Sequence, residues 1–305
     1  MAGLKEIKGH IASVRSTLKI TSAMKMVSSA KLRKAQAAAE AMRPYEAALR
    51  RILMAAGGLT AAVPAGDGAV REVPQTPGFY PEAGPDGKTN VRGAVAIVAI
   101  ASNSSLCGGF NANVIREVRA RVSALRSEGA DVVVYSLGRK MSDAMRRDGY
   151  ASPADCNHLV GKTRYDDVAA LASDLTREYS EGRVARVELI YNHFVSTSTQ
   201  RVVSETYLPF GTGGEVAAPP ADDLYIIEPD RSSILEALLP KVIRLKLYAA
   251  VLDSVASEHA ARTVAMQTAS DNAEELLRTL TLEYNKSRQQ KITAEILDLA
   301  AGAAL

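Results

Sequence analysis

The residues whose types and spacing come nearest to chemistry lie in one short run, Leu106-Cys107-Gly108-Gly109-Phe110-Asn111. It follows the apolar stretch Ala94-Val95-Ala96-Ile97-Val98-Ala99-Ile100 and precedes a helical pattern. A strand that feeds a glycine loop into a helix is the layout that cradles phosphate on helix N-terminal amides. Here the spacing fits neither the three-glycine dinucleotide fingerprint nor a phosphate loop ending in Gly-Lys-Ser/Thr. Close backbone packing and a helix start at Asn111 account for the glycines better. Cys107 as a nucleophile would need His158 or His193 as base and a third group to orient that base, and the sequence identifies no such group. Cys156 and His158 form a Cys-x-His pair, too small for a zinc site. The sequence therefore shows no credible catalytic, metal or cofactor constellation.

The elements that hold this loop follow an α/β pattern. A buried strand is expected within Val91 to Ala101, a helix from Asn111 to Ser127, and a strand from Asp131 to Leu137. A short helix near Arg139 to Arg147 and another at Asp166 to Tyr179 come next. Two β-rich runs, Val184 to Ser196 and Gln200 to Phe210, close the block. This order predicts a small three-layer, Rossmann-like domain with a mostly parallel sheet and one antiparallel edge.

Long helices flank that block. From Leu4 to Ala56 the positions Leu4, Ile7, Ile11, Val14, Leu18, Thr21, Lys25, Ser28, Leu32, Ala35, Ala39, Met42 and Leu49 keep a seven-residue register. Around Ile20, Met24 and Val27 the apolar face falls one position earlier, as expected when a straight helix drifts against that repeat. Pro44 predicts a kink or a boundary. The stretch is basic, with Lys5, Lys8, Arg15, Lys19, Lys25, Lys31, Arg33, Lys34, Arg43, Arg50 and Arg51 against Glu6, Glu40 and Glu46. That is either a solvated helix face or a surface for an acidic protein or polyanion. With few aromatics interleaved, nucleic acid is not the expected partner.

At the other end, Asp230 or Ser232 can cap a helix, which Pro240 either kinks or delays. Lys241 to Leu305 then holds no proline and one glycine, Gly302, enough for roughly 95 Å of helix. Val242, Leu245, Ala249, Leu252, Ala256, His259, Thr263, Met266, Ser270, Ala273, Leu277, Leu280 and Tyr284 carry the repeat. Many of these are small or polar, which lets two helices approach closely, so the terminal helices are expected to pair in an antiparallel coiled coil. The final stretch, Ile292, Ile296 and Leu299 onward, outruns the N-terminal helix and is expected to seek a socket in another protein.

Composition agrees with a folded, largely helical chain. Of 305 residues 47% are hydrophobic, Trp is absent and Phe numbers four, and the net charge of +3 argues against general nucleic-acid binding. Two cysteines are too few for a disulfide scaffold and point to a reducing compartment. The first residues show no apolar signal region, and no run reaches the ~18 apolar residues of a membrane span. The organisation read from these patterns is an N-terminal coiled-coil helix over 1–56, a Pro/Gly-rich linker or insertion over 57–92, and a central α/β domain over 93–211. A second linker over 212–229 and a C-terminal helix over 230–305 complete it.

Three separated motifs carry a family resemblance. Lys19-Ile20-Thr21-Ser22-Ala23-Met24-Lys25-Met26-Val27 with Lys31-Leu32 and Arg43-Pro44-Tyr45 resembles the N-terminal motif of the gamma subunits of F-type ATP synthases. Leu106 to Asn111 resembles their glycine loop. Glu258 to Met266, Asn272, Leu280 to Leu282, Tyr284 to Gln289 and Ile292 to Ile296 resemble their C-terminal signature. The chain departs at Asn103-Ser104-Ser105, where Asp-Arg-Gly is usual, and at Lys25, where an acidic residue is common. The paired cysteines of the redox-regulated chloroplast type are missing.

The resemblance implies a rotor shaft of bacterial type, itself non-catalytic and present in one copy per complex. Its coiled coil would sit inside the hexamer of alpha and beta subunits, and its α/β domain would face the epsilon subunit and the membrane rotor ring. The complex would work as a peripheral assembly on the cytoplasmic side of the inner membrane. Coupling and interface positions would be Met24, Lys25, Lys31, Arg262, Arg288, Gln289, Thr293, Glu295, Ile296 and Leu299. The central-domain loop would comprise Leu106, Cys107, Gly108, Gly109 and Asn111. Two other classes compete: a stand-alone α/β nucleotide-binding enzyme with helical arms, which isolated ATP binding would reveal, and a coiled-coil scaffold, which would not assemble with catalytic subunits.

Overall fold

The computed structural model of the chain describes residues 3–55, 93–210, 228 and 230–302. The stretches 57–92 and 212–229, read as linkers, lie outside the described residues except for Glu228. The elements in order are α1 (Leu4–Ala55), β1 (Ala94–Ile100), α2 (Phe110–Ser127), β2 (Val132–Leu137), α3 (Arg139–Arg147), α4 (His158–Gly161), α5 (Tyr165–Ser180), β3 (Val184–Phe194), β4 (Gln200–Leu208) and α6 (Arg231–Gly302). They form two units, one from residues 1–30 with 262–305 and the other from 31–261.

In the larger unit the four strands lie in the order β2-β1-β3-β4. Strand β1 is parallel to both β2 and β3, and β4 returns antiparallel along β3 from Gln200 beside Phe194 to Leu208 beside Val187. The strands are near-continuous apolar runs because helices cover both faces. On one face Val114, Val118, Val122 and Leu125 of α2, with Met141 and Met145 of α3, pack over Val95, Ile97, Ala99 and Ile190. On the other, Val168, Leu171 and Leu175 of α5 and Leu235, Leu239, Ile243 and Leu247 of α6 pack over Val98, Ile100, Val187 and Leu189.

Helix α6 begins where the sequence allows two caps. The Asp230 carboxylate accepts the backbone N–H of Ser233 at 2.9 Å and its hydroxyl at 2.8 Å. Pro240 then lies inside the helix and neither delays nor ends it. Its missing N–H removes one helical bond, whereas Leu235, Leu239, Ile243 and Leu247 bury turns on both sides in the core. Pro44 likewise sits within α1 and is not a boundary. The four-residue α4 has no counterpart in the sequence reading, since one turn offers no periodicity to detect.

Within this larger unit, Leu53 of α1 shares the core with Leu235 and Leu239, while Leu32 and Ala35 cluster with Ala256 and Ala260. Residue numbers rise along α1 as they fall along α6, so the two helices run antiparallel, with alanines at the close approach. In the smaller unit, Ile7, Thr21 and Ser28 are buried from α1, and Arg262, Met266, Ser270 and Ala273 from α6. Every seam position of both seven-residue registers is buried or half-buried. Of the three residues where drift is expected, Ile20 and Val27 are exposed and Met24 is half-buried. The polar seam keeps its register because Thr21 and Ser270 satisfy each other, their hydroxyl oxygens 2.8 Å apart. No helix among the described residues is long and apolar enough to cross a membrane.

Candidate functional site

The glycine loop stands at the point where the strand order reverses, after β1 and between β2 and β3, the place where doubly wound sheets bind ligands. Its side chains bond to one another. Asn111 Oδ1 accepts the backbone N–H of Ser102 at 3.0 Å, and Asn111 Nδ2 donates to Ser102 Oγ at 2.8 Å. That hydroxyl donates in turn to the Ser104 carbonyl at 2.5 Å. Cys107 is buried with its Sγ 3.1 Å from Asn111 Nδ2. Leu106 and Gly108 take left-handed conformations, φ 67° and 57°, which turn the chain sharply enough for α2 to start at Phe110. Asn103, one of the residues departing from the usual loop, bridges its neighbours: Oδ1 accepts from Arg139 N at 2.9 Å and Nδ2 donates to the Asn157 carbonyl at 3.0 Å. Gly138 closes the site from β2, since a Cβ there would lie 2.2 Å from the Ala101 carbonyl oxygen.

The imagined nucleophile and bases are not brought together. Cys107 Sγ contacts Ser102, Ser104 and Asn111, with no imidazole among its bonded partners. His158 is exposed at the start of α4, and His193 Nδ1 faces Asp253 Oδ2 at 2.5 Å. Burial, with Asp155 and Asp174 nearby, pushes the Cys156 thiol up to about 11, so it stays protonated and unreactive at neutral pH. Among the described residues no three His, Cys, Asp or Glu side chains group as metal ligands would.

The predicted interface residues lie on the long helices. In the smaller unit Met24 and Lys25 are half-buried, and Arg262 is buried at 7% exposure. Arg288, Gln289, Thr293, Glu295, Ile296 and Leu299 are exposed, as is Lys31 in the larger unit. From Glu274 to Leu299 no residue of α6 is buried, and Leu299 reaches 75% exposure. This end holds itself by local bonds, Thr293 Oγ1 to the Gln289 carbonyl at 2.9 Å and Lys291 to Glu295 at 3.7 Å. Ile20, Met26 and Val27 add an exposed apolar strip on α1 beside exposed Lys19.

Two polar constructions in the larger unit escaped the sequence reading. Glu188 of β3, with its side chain 5% exposed, takes two bonds from Arg121 of α2 at 2.7 Å each and one contact from Arg186 at 2.9 Å. Asp253 of α6 accepts the backbone N–H of Phe194 at 2.9 Å beside its contact with His193. Asp253 was findable as the only charge between Lys246 and Glu258. Its partners, some sixty positions away, were not.

Comparison with known proteins gives a consistent picture. A family model described as ATP synthase matches residues 3–305. A protein of Phocaeicola vulgatus named ATP synthase gamma chain is 46% identical over 306 residues, covering 99% of each chain. Its namesake from Bacteroides thetaiotaomicron is 44% identical, and that from Acidiphilium cryptum 39%, each over 99% of both chains. Among solved structures, a chain of Euglena gracilis mitochondrial ATP synthase aligns with a TM-score of 0.63 at 19% identity, over 99% of this chain and 93% of that one. A chain from the central stalk and c-ring structure of the Tetrahymena thermophila mitochondrial enzyme aligns with a TM-score of 0.53 at 22% identity, covering 82% and 99%. At these identities the solved structures speak for the fold alone.

Proposed function

The chain belongs to the ATP synthase gamma-chain family, and from that premise we propose that it is the central, non-catalytic shaft of an F-type ATP synthase. The observation that carries this reading is likeness over the whole length, 46% identity across 99% of both chains, to a protein named as that subunit. Its partners are the alpha and beta subunits of the catalytic hexamer, the epsilon subunit and the membrane rotor ring, in one copy per complex. The assembly is peripheral, on the cytoplasmic side of a bacterial inner membrane.

The physical basis is differential contact. A shaft without catalytic groups alters a nucleotide site only by touching its conformational states unequally. The exposed end of α6, with Ile292, Ile296 and Leu299, supplies an apolar bearing, and burying it would withdraw surface that is costly in water. Exposed Ile20, Met26 and Val27 with Lys19 give α1 a mixed apolar and basic surface suited to acidic loops of the beta subunits, and Lys31 is exposed in the larger unit. Met24, Lys25, Arg262, Arg288, Gln289, Thr293 and Glu295 act at these interfaces, and the loop from Leu106 to Asn111 supports the α/β domain.

The test is co-expression with alpha and beta subunits followed by an assay of ATP hydrolysis. One copy of this chain per hexamer and an active complex are expected. Failure to co-purify overturns the reading.

A further inference from the structure

We propose that Asp253 is a positioning residue for rotary coupling: its carboxylate pins α6 to the end of β3, so that the sheet and the helix turn as one body. The inference rests on the gamma-chain reading and lies wholly within the unit of residues 31–261.

Asp253 is half-buried, and the residues around it on α6, Val251, Leu252 and Ser254, are buried. Both carboxylate oxygens are engaged. Oδ1 takes the backbone N–H of Phe194 at 2.9 Å, and Oδ2 lies 2.5 Å from His193 Nδ1. His193 and Phe194 are the last residues of β3. Two further ties lie on the same side of α6. The buried Tyr207 hydroxyl donates to the Ile243 carbonyl at 2.8 Å, and Lys246 Nζ donates to the Thr206 carbonyl at 3.2 Å while lying 3.4 Å from Glu205. Positions 243, 246, 250 and 253 recur at helical spacing, and Ala250 between the ties is buried.

Hydrophobic side chains of α6 and the sheet fill much of the same contact. Apolar burial resists separation but has no preferred direction, so it opposes sliding or twisting of the helix weakly. Hydrogen bonds lose strength steeply when misaligned and therefore oppose such motion. The Tyr207 and Lys246 ties join α6 to β4, which has one neighbour in the sheet, whereas Asp253 reaches β3, which is bonded to β1 and β4 on its two sides. Load arriving at Asp253 spreads into the whole sheet.

The experiment uses the complete complex in membrane vesicles with three variants, Asp253→Ala, Asp253→Asn and His193→Gln. The readout is ATP-driven ion pumping divided by ATP hydrolysis, which loss of stability alone does not move. Asp253→Ala is expected to lower this ratio by about twofold or more at normal assembly and hydrolysis. Asp253→Asn keeps an oxygen for the Phe194 N–H and should recover at least half of that loss, with His193→Gln in between. An unchanged ratio in assembled Asp253→Ala overturns the proposal. If that variant does not assemble, Asp253→Asn and His193→Gln decide by the same ratio, and loss of assembly in all three makes the tie merely structural and equally overturns it. Failure of the unaltered chain to join alpha and beta subunits would instead refute the gamma-chain reading, before any variant is made.

Discussion

The Arg121 guanidinium grips the Glu188 carboxylate through two bonds of 2.7 Å, joining α2 to the central strand β3. Arg186 contributes a third contact to the same carboxylate. A buried carboxylate is tolerated only while its lone pairs are filled, so the arrangement is costly to break from one side. Arg121→Ala is expected to destabilise the larger unit by about 2 kcal/mol, because Arg186 remains to compensate in part. Chemical denaturation followed by circular dichroism measures this, and a change below about 0.5 kcal/mol would place the pair among ordinary surface ion pairs.

A second expectation concerns the polar seam. Thr21→Val strands the Ser270 hydroxyl in a buried site and should cost about 1 kcal/mol, whereas Ser270→Ala leaves the Thr21 hydroxyl its Leu18 carbonyl and should cost less. The double substitution removes both groups and should cost less than the sum of the singles by about 0.5 kcal/mol or more. Additive losses in a double-mutant cycle would mean that the two hydroxyls do not depend on each other.

The exposed end of α6 leads to a separation of effects. Deleting residues 292–305, or introducing Ile296→Asp with Leu299→Asp, should weaken co-purification with alpha and beta subunits about tenfold or more. Stability of the isolated chain should change by no more than about 0.5 kcal/mol, since the side chains from Ile292 to Leu299 are exposed. Loss of the sheet signal in circular dichroism would make this end part of the core and not a bearing.

Cys156 gives a pH dependence. Its thiol is raised from its ordinary value of roughly 8.5 to about 11, chiefly by burial. The folded chain therefore favours the neutral thiol. The associated stability is whole below the unfolded value and is lost as pH climbs through roughly 9 to 11. Melting temperature should fall across that interval, and Cys156→Ala should fall less steeply. Alkylation of Cys156 at pH 8 should require unfolding, and labelling of the native chain at the rate of a free thiol would contradict its burial.

How much of this was legible in the sequence follows from the range of each signal. Ala94 to Ile100 is a strand in both readings because a short apolar run bounded by turn residues leaves little choice. The seven-residue registers of α1 and α6 were readable because a repeat announces itself over many turns. The register itself carried Thr21 and Ser28 to the buried side, but their pairing with α6, as between Thr21 and Ser270, lies beyond any local window. At Pro44 and Pro240 the sequence left a kink and a boundary both open for a related reason: the packing that holds a helix through a proline lies elsewhere in the chain. The proposed interface positions could be named from motif alone, whereas the roles of Asp253 and Glu188 needed their distant partners.

The self-bonded loop after β1 has one more consequence. Ser102, Cys107 and Asn111 stand at the switch point of the sheet, each holding another in place. A loop whose polar groups are spent on one another keeps its shape without borrowing any from a guest, so the start of α2 is set by the chain itself.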